Sequence, residues 1–313
     1  MKVIQIARST PEIALELAEL DQPRPGPGQI LVKVHAAGVT TTELGWYPST
    51  HTTSGQERLR AVPGHEFSGT VAALGEGASG FSIGQPVFGM NDWFQEGAMA
   101  EYCLTLPWSI ADRPACLTHV QAATVPIGAL TACQGLFEKA LLKPGERVLI
   151  HGGAGGVGLF AVQLARLHGA HVIATTSADT LELVRELGAH QVVDYRTARF
   201  EDVVEGVDVV FDTAGGETRE RSRTILSRDG RLVSIAADGE MTTNPEVRKA
   251  YFIVEPNREQ LNQVAGMLCD GRLRTFTKAV LPLDRAAEAF QGKLGHGAGK
   301  IVISVAEDAE PAM

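Results

Sequence analysis

Three glycines follow a short apolar run in the stretch E-R-V-L-I-H-G-G-A-G-G-V-G at 146–158. Gly153, Gly155 and Gly158 match G-x-G-x-x-G, and apolar residues recur at helical spacing from Leu159 to Leu167. Between a strand and a helix, these glycines allow a tight turn, a close backbone approach to a diphosphate and close helix–strand packing. The diphosphate then lies at the positive end of the helix. The stretch predicts a dinucleotide-binding loop that contacts the cofactor through Gly153, Ala154, Gly155, Gly156, Val157 and Gly158.

The residues about 20 positions beyond the first glycine indicate which nicotinamide cofactor is bound. NAD sites place Asp or Glu there to hold the ribose hydroxyls. This chain instead has an uncharged strand end, Thr175, Thr176 and Ser177. Without a carboxylate there is no repulsion against a 2′-phosphate, which hydroxyl and N–H groups can bind. We therefore expect NADP(H) rather than NAD(H); the alternative is that these residues form an ordinary strand-to-helix cap.

Composition and charge exclude several classes of protein. A net charge of −9 and the lack of a dense Lys/Arg run argue against nucleic-acid or anionic-membrane partners. The apolar patch at the N-terminus is too short for a signal peptide, and we expect no membrane span. The cysteines are scattered without a C-x-x-C pair, which predicts buried thiols in a reducing, cytoplasmic compartment. They are Cys103, Cys116, Cys133 and Cys269.

The elements that must position the loop change character along the chain. The first part is β-rich and irregular, with strands expected at 3–7, 29–37 and 69–74 between Pro- and Gly-rich turns. From about residue 119, continuous apolar strands alternate with helices, which indicates a parallel sheet covered on both faces. Here we expect helices at 120–136, 159–168 and 180–187, and strands at 148–151, 171–175, 191–194, 207–212 and 231–236.

After residue 273 the pattern is β-like again, with strands expected at 277–281 and 300–305 around a short helix at 284–290. This order predicts a dinucleotide-binding domain at 119–272, inserted into a β-rich domain formed by 1–118 and 273–313. The last residues, 307–313, are expected to fray.

Motifs spread over the whole chain resemble those of the medium-chain dehydrogenase/reductase superfamily, in the same order. The resemblance implies an α/β fold in which a Rossmann-type doubly wound parallel sheet is inserted into a GroES-like β-rich domain. The motifs are G-P-G-Q-I-L-V-K-V at 26–34, A-A-G-V at 36–39, P-G-H-E-F-S-G at 63–69, K-P-G-E-R-V-L-I-H-G-G-A-G-G-V-G at 143–158, V-V-F-D-T-A-G-G at 209–216 and G-K-I-V-I at 299–303.

The superfamily contains zinc alcohol dehydrogenases and zinc-free reductases, and this sequence resembles the second group. The zinc enzymes carry a cysteine after the segment similar to A-A-G-V, where this chain has Thr40. His65 is retained, but a lone histidine without a thiolate partner is a poor start for a tetrahedral zinc site. We expect no metal, and we interpret His65 as a packed turn histidine that bonds to the backbone. The resemblance narrows to the zinc-independent, quinone oxidoreductase-like branch.

This resemblance also implies site residues. Thr40 and Tyr47 are the candidate catalytic side chains; the alternative is that Trp46 and Tyr47 only anchor a loop, and Trp93 either lines a pocket or packs beneath a loop. Tyr195 matches a tyrosine that similar reductases use at the 2′-phosphate, where Arg196 or Arg199 would supply the positive charge. The remaining cofactor contacts implied are Thr131, Thr213, Ala214, Ile235, Phe252, Val254 and Lys300.

The expected activity is hydride transfer from NADPH to a quinone or an α,β-unsaturated carbonyl without metal. Two alternatives remain: a zinc-dependent alcohol dehydrogenase, and a non-catalytic NADPH-binding protein. Because relatives in this branch pair through the edge of the nucleotide-domain sheet, we also expect a symmetric homodimer.

Overall fold

The computed structural model describes residues 1–9, 12–239, 242–291, 294 and 297–306. The chain divides into two compact units. Unit 1 holds the described residues of Met1–Ile127, Glu255–Gly295 and Lys300–Met313, and unit 2 those of Gly128–Val254 and His296–Gly299. The sequence-based ranges divide the chain at 118/119 and 272/273, which lie 9 and 18 residues from the unit boundaries 127/128 and 254/255. The segment 307–313 lies outside the described residues.

The described chain contains strands and helices with the following bounds. The strands are β1 Lys2–Ser9, β2 Glu12–Glu19, β3 Ile30–Gly38, β4 Glu66–Leu74, β5 Pro86–Met90, β6 Tyr102–Thr105, β7 Ile110–Asp112, β8 Arg147–Ile150, β9 His171–Thr176, β10 Gln191–Asp194, β11 Val207–Asp212, β12 Leu226–Ser234, β13 Thr277–Pro282 and β14 Lys300–Ser304. The α-helices are α1 Tyr47–Thr50, α2 His119–Ala122, α3 Pro126–Cys133, α4 Gly158–Leu167, α5 Leu181–Glu186, α6 Gly216–Ser222, α7 Pro245–Ala250, α8 Arg258–Cys269 and α9 Ala286–Phe290.

Unit 1 is built mainly from antiparallel strands around a large apolar core, with a smaller cluster at Ala36, Ala123 and Val302. A seven-stranded sheet runs β13-β14-β3-β4-β5-β7, with β6 also paired to β3, and β1 pairs with β2 separately. The alternating I-L-V-K-V-H-A segment forms β3, whose Val32 and Val34 are fully buried while Lys33 is exposed. These side chains pack with Phe67 and Val87 of the neighbouring strands.

Unit 2 contains a five-stranded parallel sheet in the order β10-β9-β8-β11-β12. Its central strands are continuous apolar runs, and Leu149, Ile173 and Val210 are fully buried. The predicted α/β fold is confirmed. The chain order reverses between β8 and β11, and in sheets of this kind ligands bind in the crevice at such a reversal, beyond the carboxyl ends of the strands.

The helix predicted over 120–136 is interrupted in the structure. α2 ends at Ala122, α3 begins at Pro126, and a π-helical turn follows at Gln134–Lys139. Proline lacks an N–H group and disfavours helical backbone in the residue before it, so the helix breaks at Val125. The expectation that no segment has the apolar length of a membrane span was also wrong, because the segment His119–Lys139, which contains this break, is long and apolar enough by length and composition. Most of that run, 78%, is buried, as expected of a core helix.

The cysteines differ in exposure, which corrects the prediction that all four are buried. Cys103 is buried and Cys133 is partly buried, whereas Cys116 and Cys269 are exposed. Burial raises the pKa of Cys103, and it raises the pKa of Cys133 to about 12. Sequence spacing could not reveal this difference, because it depends on where each segment lies on unit 1 or unit 2.

Candidate functional site

The glycine-rich loop of unit 2 lies between β8 and α4. It begins at His151 and is fixed to β9, because the N–H of Gly153 donates to the carbonyl of Thr175 at 2.8 Å. A second bond, from the N–H of Gly155 to the carbonyl of Gly152 at 2.9 Å, closes the turn. The predicted strand–turn–helix context is therefore present in the structure.

Each glycine of the motif meets a different steric constraint. A Cβ added at Gly158 would lie 2.1 Å from the carbonyl oxygen of Gly152, and one at Gly153 would lie 3.0 Å from Cβ of Ala174. At Gly155 the nearest atom would be the Gly152 oxygen at 3.3 Å, with nothing else within 4 Å. Gly153 and Gly158 are thus needed for packing, while Gly155 leaves open the space a ligand would fill. Gly152, outside the motif, has a φ of +69°.

Backbone donors of this loop are available for an anion. Within the described part of the chain, no residue accepts a hydrogen bond from the N–H groups of Gly156 and Val157. These groups directly precede α4, whose ten residues present the positive end of the helix to the loop. The loop and its open position at Gly155 fit a dinucleotide diphosphate.

The hydroxyl groups at the end of β9 are not equivalent. Thr175 is buried and its Oγ1 contacts Nδ1 of His151 at 3.2 Å, and Thr176 is buried with its Oγ1 2.5 Å from that of Thr180. Ser177 is only half-buried. The threonine hydroxyls therefore hold the protein together, and Ser177 is the side chain of this group that reaches the surface.

Residues after β10 lie beside the end of β9. The register pairs Asp194 with Thr176, and the N–H of Tyr195 donates to the carbonyl of Thr176 at 3.2 Å. The Tyr195 side chain is 58% exposed, and the guanidinium of Arg196 lies 5.8 Å from its ring centroid. Arg196 has a loose ion pair with Asp179 at 3.9 Å. The structure thus brings together the predicted 2′-phosphate side chains Ser177 and Tyr195.

Arg199, the other cation considered for this position, is already paired. Its Nη2 and Nε both donate to Oε1 of Glu201, at 2.7 and 2.9 Å. This contact leaves Arg196 as the better candidate for a phosphate.

The loop after β11 meets the glycine-rich loop at the reversal of the sheet. Oγ1 of Thr213 donates to the carbonyl of His151 at 2.8 Å. The buried carboxylate of Asp212 accepts from the N–H groups of Ala214 and Gly215, each at 2.9 Å. Its other oxygen accepts from Oγ of Ser234 at 2.7 Å. Thr213 and Ala214 are therefore held in fixed positions beside the glycine loop.

The remaining predicted contacts of unit 2 lie near the end of β12 or in α3. The N–H of Ile235 donates to the carbonyl of Asp212 at 3.0 Å, and that of Phe252 donates to the carbonyl of Ser234 at 3.1 Å. Phe252 and Val254 are buried, as is Thr131 in α3.

His151 is a positioning residue that the sequence analysis missed. It is 1% exposed, and its Nε2 contacts Oγ of Ser222 at 2.8 Å while its Nδ1 contacts Thr175. Oγ1 of Thr175 in turn accepts from the N–H of Gly152 at 3.3 Å. Burial lowers the pKa of His151 to about 4, with Asp212 opposing the shift. The sequence did offer one sign of this role, because His151 is a polar residue directly between an apolar strand and the glycines.

In unit 1, Thr40 belongs to a buried charged cluster. Nζ of Lys300 donates to Oγ1 of Thr40 at 3.3 Å and also contacts the carboxylate of Glu66. Glu66 is fully buried and its other oxygen accepts from the N–H of Ile127 at 3.0 Å. Burial lowers the pKa of Lys300 to about 7, and the carboxylate of Glu43 opposes this shift. Lys300, expected to contact the cofactor, is thus placed with Thr40.

His65 and the aromatic residues pack beside this cluster. Nδ1 of His65 lies 3.5 Å from Oε2 of Glu43, and its Nε2 lies 3.3 Å from the carbonyl of Gln95. The ring of Trp93 is buried and packs on both His65 and Trp46, with centroid distances of 5.0 and 4.9 Å. Trp93 therefore packs beneath the loop rather than lining an open pocket.

Tyr47 begins α1 and stacks on His51, with ring centroids 4.5 Å apart and planes 7° apart. Its side chain is half-buried. Within unit 1, Tyr47 thus stacks on His51, whereas Thr40 is held by Lys300. In the described part of the chain, no group of three His, Cys, Asp or Glu side chains could hold a metal ion.

Comparison with known proteins identifies the family. The alcohol dehydrogenase GroES-like domain matches residues 26–115, and a zinc-binding dehydrogenase domain matches residues 187–303. The quinone oxidoreductase of Rattus norvegicus is 31% identical over 309 residues, which cover 93% of this chain and 92% of that protein.

Solved structures agree with this result. The quinone oxidoreductase from Coxiella burnetii matches with a TM-score of 0.87 and 30% identity, over 98% of this chain and 99% of that one. A cobalt- and zinc-bound alcohol dehydrogenase from Pyrobaculum aerophilum matches with a TM-score of 0.78 and 27% identity, over 97% and 99%. The chain belongs to the medium-chain dehydrogenase/reductase superfamily of NAD(P)-dependent oxidoreductases, among its quinone oxidoreductase-like members.

Proposed function

We propose that this protein uses NADPH to reduce a quinone or an α,β-unsaturated carbonyl, and that it does so without a metal ion. The relatives named quinone oxidoreductase support the acceptor class. The proposal that the reaction needs no metal ion rests on the buried cluster around Thr40.

That cluster is occupied by the amino group of Lys300, whose pKa burial lowers to about 7. The ammonium of Lys300 lies between the carboxylate of Glu66 and the hydroxyl of Thr40. A Zn²⁺ ion at this place would need at least three Cys, His or carboxylate ligands, and no such group of three occurs among the described residues. The ion would also be repelled by the neighbouring amino group of Lys300 when that group is charged. His65 has its two ring nitrogens near Glu43 and the Gln95 carbonyl. The residue set therefore favours hydrogen bonding over metal chemistry.

The residues of unit 1 can assist the reaction as hydrogen-bond donors. When bound, the reduced nicotinamide supplies a hydride to the acceptor. Negative charge then develops on the acceptor oxygen and is spread by conjugation, so modest hydrogen bonding stabilises it. Because Oγ1 of Thr40 accepts a hydrogen bond from Lys300, its own O–H is oriented to donate to another oxygen. The hydroxyl of Tyr47 is the second proposed donor.

The preference for NADPH rests on the surface formed by Ser177, Tyr195 and Arg196. Arg196 is about half exposed and has only the 3.9 Å contact with Asp179, so it can turn to a phosphate. A guanidinium binds phosphate through charge-assisted hydrogen bonds, which are about twice as strong as neutral ones.

Two variants test the cofactor preference. We expect Arg196→Met to weaken NADPH binding about tenfold, with little change for NADH, because one charge-assisted contact is lost. Arg199→Met is the matched control and should leave both affinities unchanged, since Arg199 is paired with Glu201. Ser177→Asp should move the preference toward NADH. Fluorescence titration measures each dissociation constant, and equal loss of NADPH binding in both arginine variants would contradict the assignment.

A panel of acceptors tests the activity. Steady NADPH oxidation with 9,10-phenanthrenequinone or a reactive enone, and no NADP-dependent oxidation of simple alcohols, is the expected result. Alcohol oxidation that requires zinc would instead support an alcohol dehydrogenase. Tight NADPH binding without turnover of any acceptor would support a binding protein.

A further inference from the structure

Two exposed cysteines from distant parts of the sequence meet on the surface of unit 1. Cys116 lies in the turn between β7 and α2, and Cys269 is the last residue of α8. They are 153 positions apart in the chain, and their Sγ atoms are 2.7 Å apart. Neither residue was expected at the surface from the sequence.

The helix that carries Cys269 is fixed at both ends. At its start, the N–H of Arg258 donates to the carbonyl of Trp108 at 2.9 Å, and its guanidinium lies 4.3 Å from the ring centroid of Phe81. Near its end, Leu268 is buried and α8 packs against β7. The buried side chains of Leu261, Val264 and Leu268 therefore fix the backbone of the helix that ends at Cys269.

The segment that carries Cys116 is also held. The N–H of Leu117 donates to the carbonyl of Pro114 at 3.0 Å, which closes a turn around Cys116. Nη1 of Arg113 contacts the carbonyl of Leu117. The two segments that carry the thiols are thus held by contacts that do not involve either cysteine, so the approach of the two sulfurs follows from the fold.

The other two cysteines provide a contrast. Cys103 is buried and Cys133 is partly buried, and structural buried thiols are inert. The pKa of Cys116 is raised to about 11, first by partial burial of its thiol and then by the neighbouring Cys269. A thiol with a raised pKa reacts slowly at neutral pH, which suits a response to sustained oxidation rather than rapid catalysis.

We propose that Cys116 and Cys269 are a redox modification site, at which a peroxide converts the paired thiols into an intramolecular disulfide. One thiolate attacks a peroxide oxygen; the O–O bond breaks, a sulfenic acid forms, and the released hydroxide takes up a proton as water. The second sulfur then attacks the sulfenic sulfur, the S–S bond forms, and the S–O bond breaks with loss of water. The two sulfurs lose two electrons, which reduce the peroxide to two molecules of water.

The bond would close a loop that contains most of unit 2. The chain leaves unit 1 after Ile127 and returns at Glu255, and both positions lie between the two cysteines. Closing so long a loop restricts the unfolded chain, so the oxidised protein should resist denaturant better than the reduced protein. In a reducing cytoplasm the pair would stay as two thiols until peroxide rises.

The test uses the full-length, fully reduced protein treated with hydrogen peroxide. Thiols titrated after denaturation should fall from the four of the sequence to two per chain, and dithiothreitol should restore all four. A non-reducing peptide map should join the peptides that hold Cys116 and Cys269. The urea midpoint should rise on oxidation and return on reduction.

Serine variants supply the controls. Cys133→Ser should still lose two thiols, whereas Cys116→Ser and Cys269→Ser should each retain all three of theirs. Four thiols after peroxide treatment, a disulfide between two chains, another cysteine pair, or mass gain by oxygen addition alone would overturn the proposal. The peptide map of the unmodified chain gives this answer even if a variant fails to fold.

Discussion

Gly155 is the glycine of the loop whose side-chain position is open. Because a Cβ there meets only one oxygen at 3.3 Å and its φ is not positive, Gly155→Val should fold. The added side chain would occupy the space proposed for the diphosphate, so we expect NADPH affinity to fall about 10- to 100-fold. Gly266→Val, at an exposed helical position with nothing within 4 Å, should leave affinity unchanged. Unchanged NADPH titration in a well-folded Gly155→Val protein would reduce the motif to a simple turn.

Tyr47 tests whether a single acid dominates catalysis. If alignment and hydride transfer set the rate, Tyr47→Phe should lower kcat only about tenfold, because the ring and its stack on His51 are kept. NADPH titration of the same variant should be unaffected. Complete loss of turnover with intact cofactor binding would make the phenol the essential proton donor.

At the level of single residues, sequence identified the glycine loop but not the use of each polar side chain. The hydroxyls of Thr175 and Thr176 were expected at the phosphate, yet they bond to His151 and Thr180. Those partners are set by strand register and helix placement, which local spacing does not encode. The same holds for Lys300, whose contact with Thr40 joins residues 260 positions apart.

Among the elements, β8 and its loop depend on a histidine that must stay neutral. Burial lowers the pKa of His151 to about 4, below the ordinary value of about 6.5. As pH falls from about 6.5 through 4, the unfolded chain binds a proton that the folded chain does not, so stability is lost. The free energy of unfolding should therefore fall by on the order of 3 kcal/mol once the pH is below 4.

Urea unfolding at pH 7.5 and at pH 4.5 measures this effect. His151→Gln removes the titrating group while keeping an amide that can bond to Ser222, so its stability should change less with pH than that of the wild type. The quantity compared is the change in the free energy of unfolding between pH 7.5 and pH 4.5, not the absolute stability of the variant. Equal slopes would show that His151 does not determine the acid sensitivity.

Elements with a strong pattern were predictable, and those set by tertiary context were not. The strand β11 matches its expected bounds because its buried V-V-F run is apolar, as in strands covered on both faces. The edge strand β10 also matches, although only Val193 of its four residues is buried. The short strands β5, β6 and β7 were missed, since three to five residues are too few to show a period. The helix α6, G-E-T-R-E-R-S, lacks an apolar stripe and was also missed.

For the whole molecule, the order of the sequence motifs was enough to predict the α/β fold, because motifs similar to those of the superfamily occur along the whole chain. Oligomeric state remains a prediction. In the described sheet of unit 2, β12 is an edge strand with nine residues, of which Ser234 bridges to Tyr251. An edge strand of this length favours association. We expect a symmetric homodimer by light scattering at micromolar concentration. A monomer mass across the concentration series would refute it.

The most direct test of the account is turnover after removal of metal. The protein is dialysed against EDTA, its zinc content is measured, and NADPH oxidation with 9,10-phenanthrenequinone is followed before and after. Because Thr40 offers no thiolate and its hydroxyl is held by the amino group of Lys300, we predict an unchanged kcat at substoichiometric zinc. Loss of activity on dialysis, restored by one equivalent of zinc, would contradict the central claim.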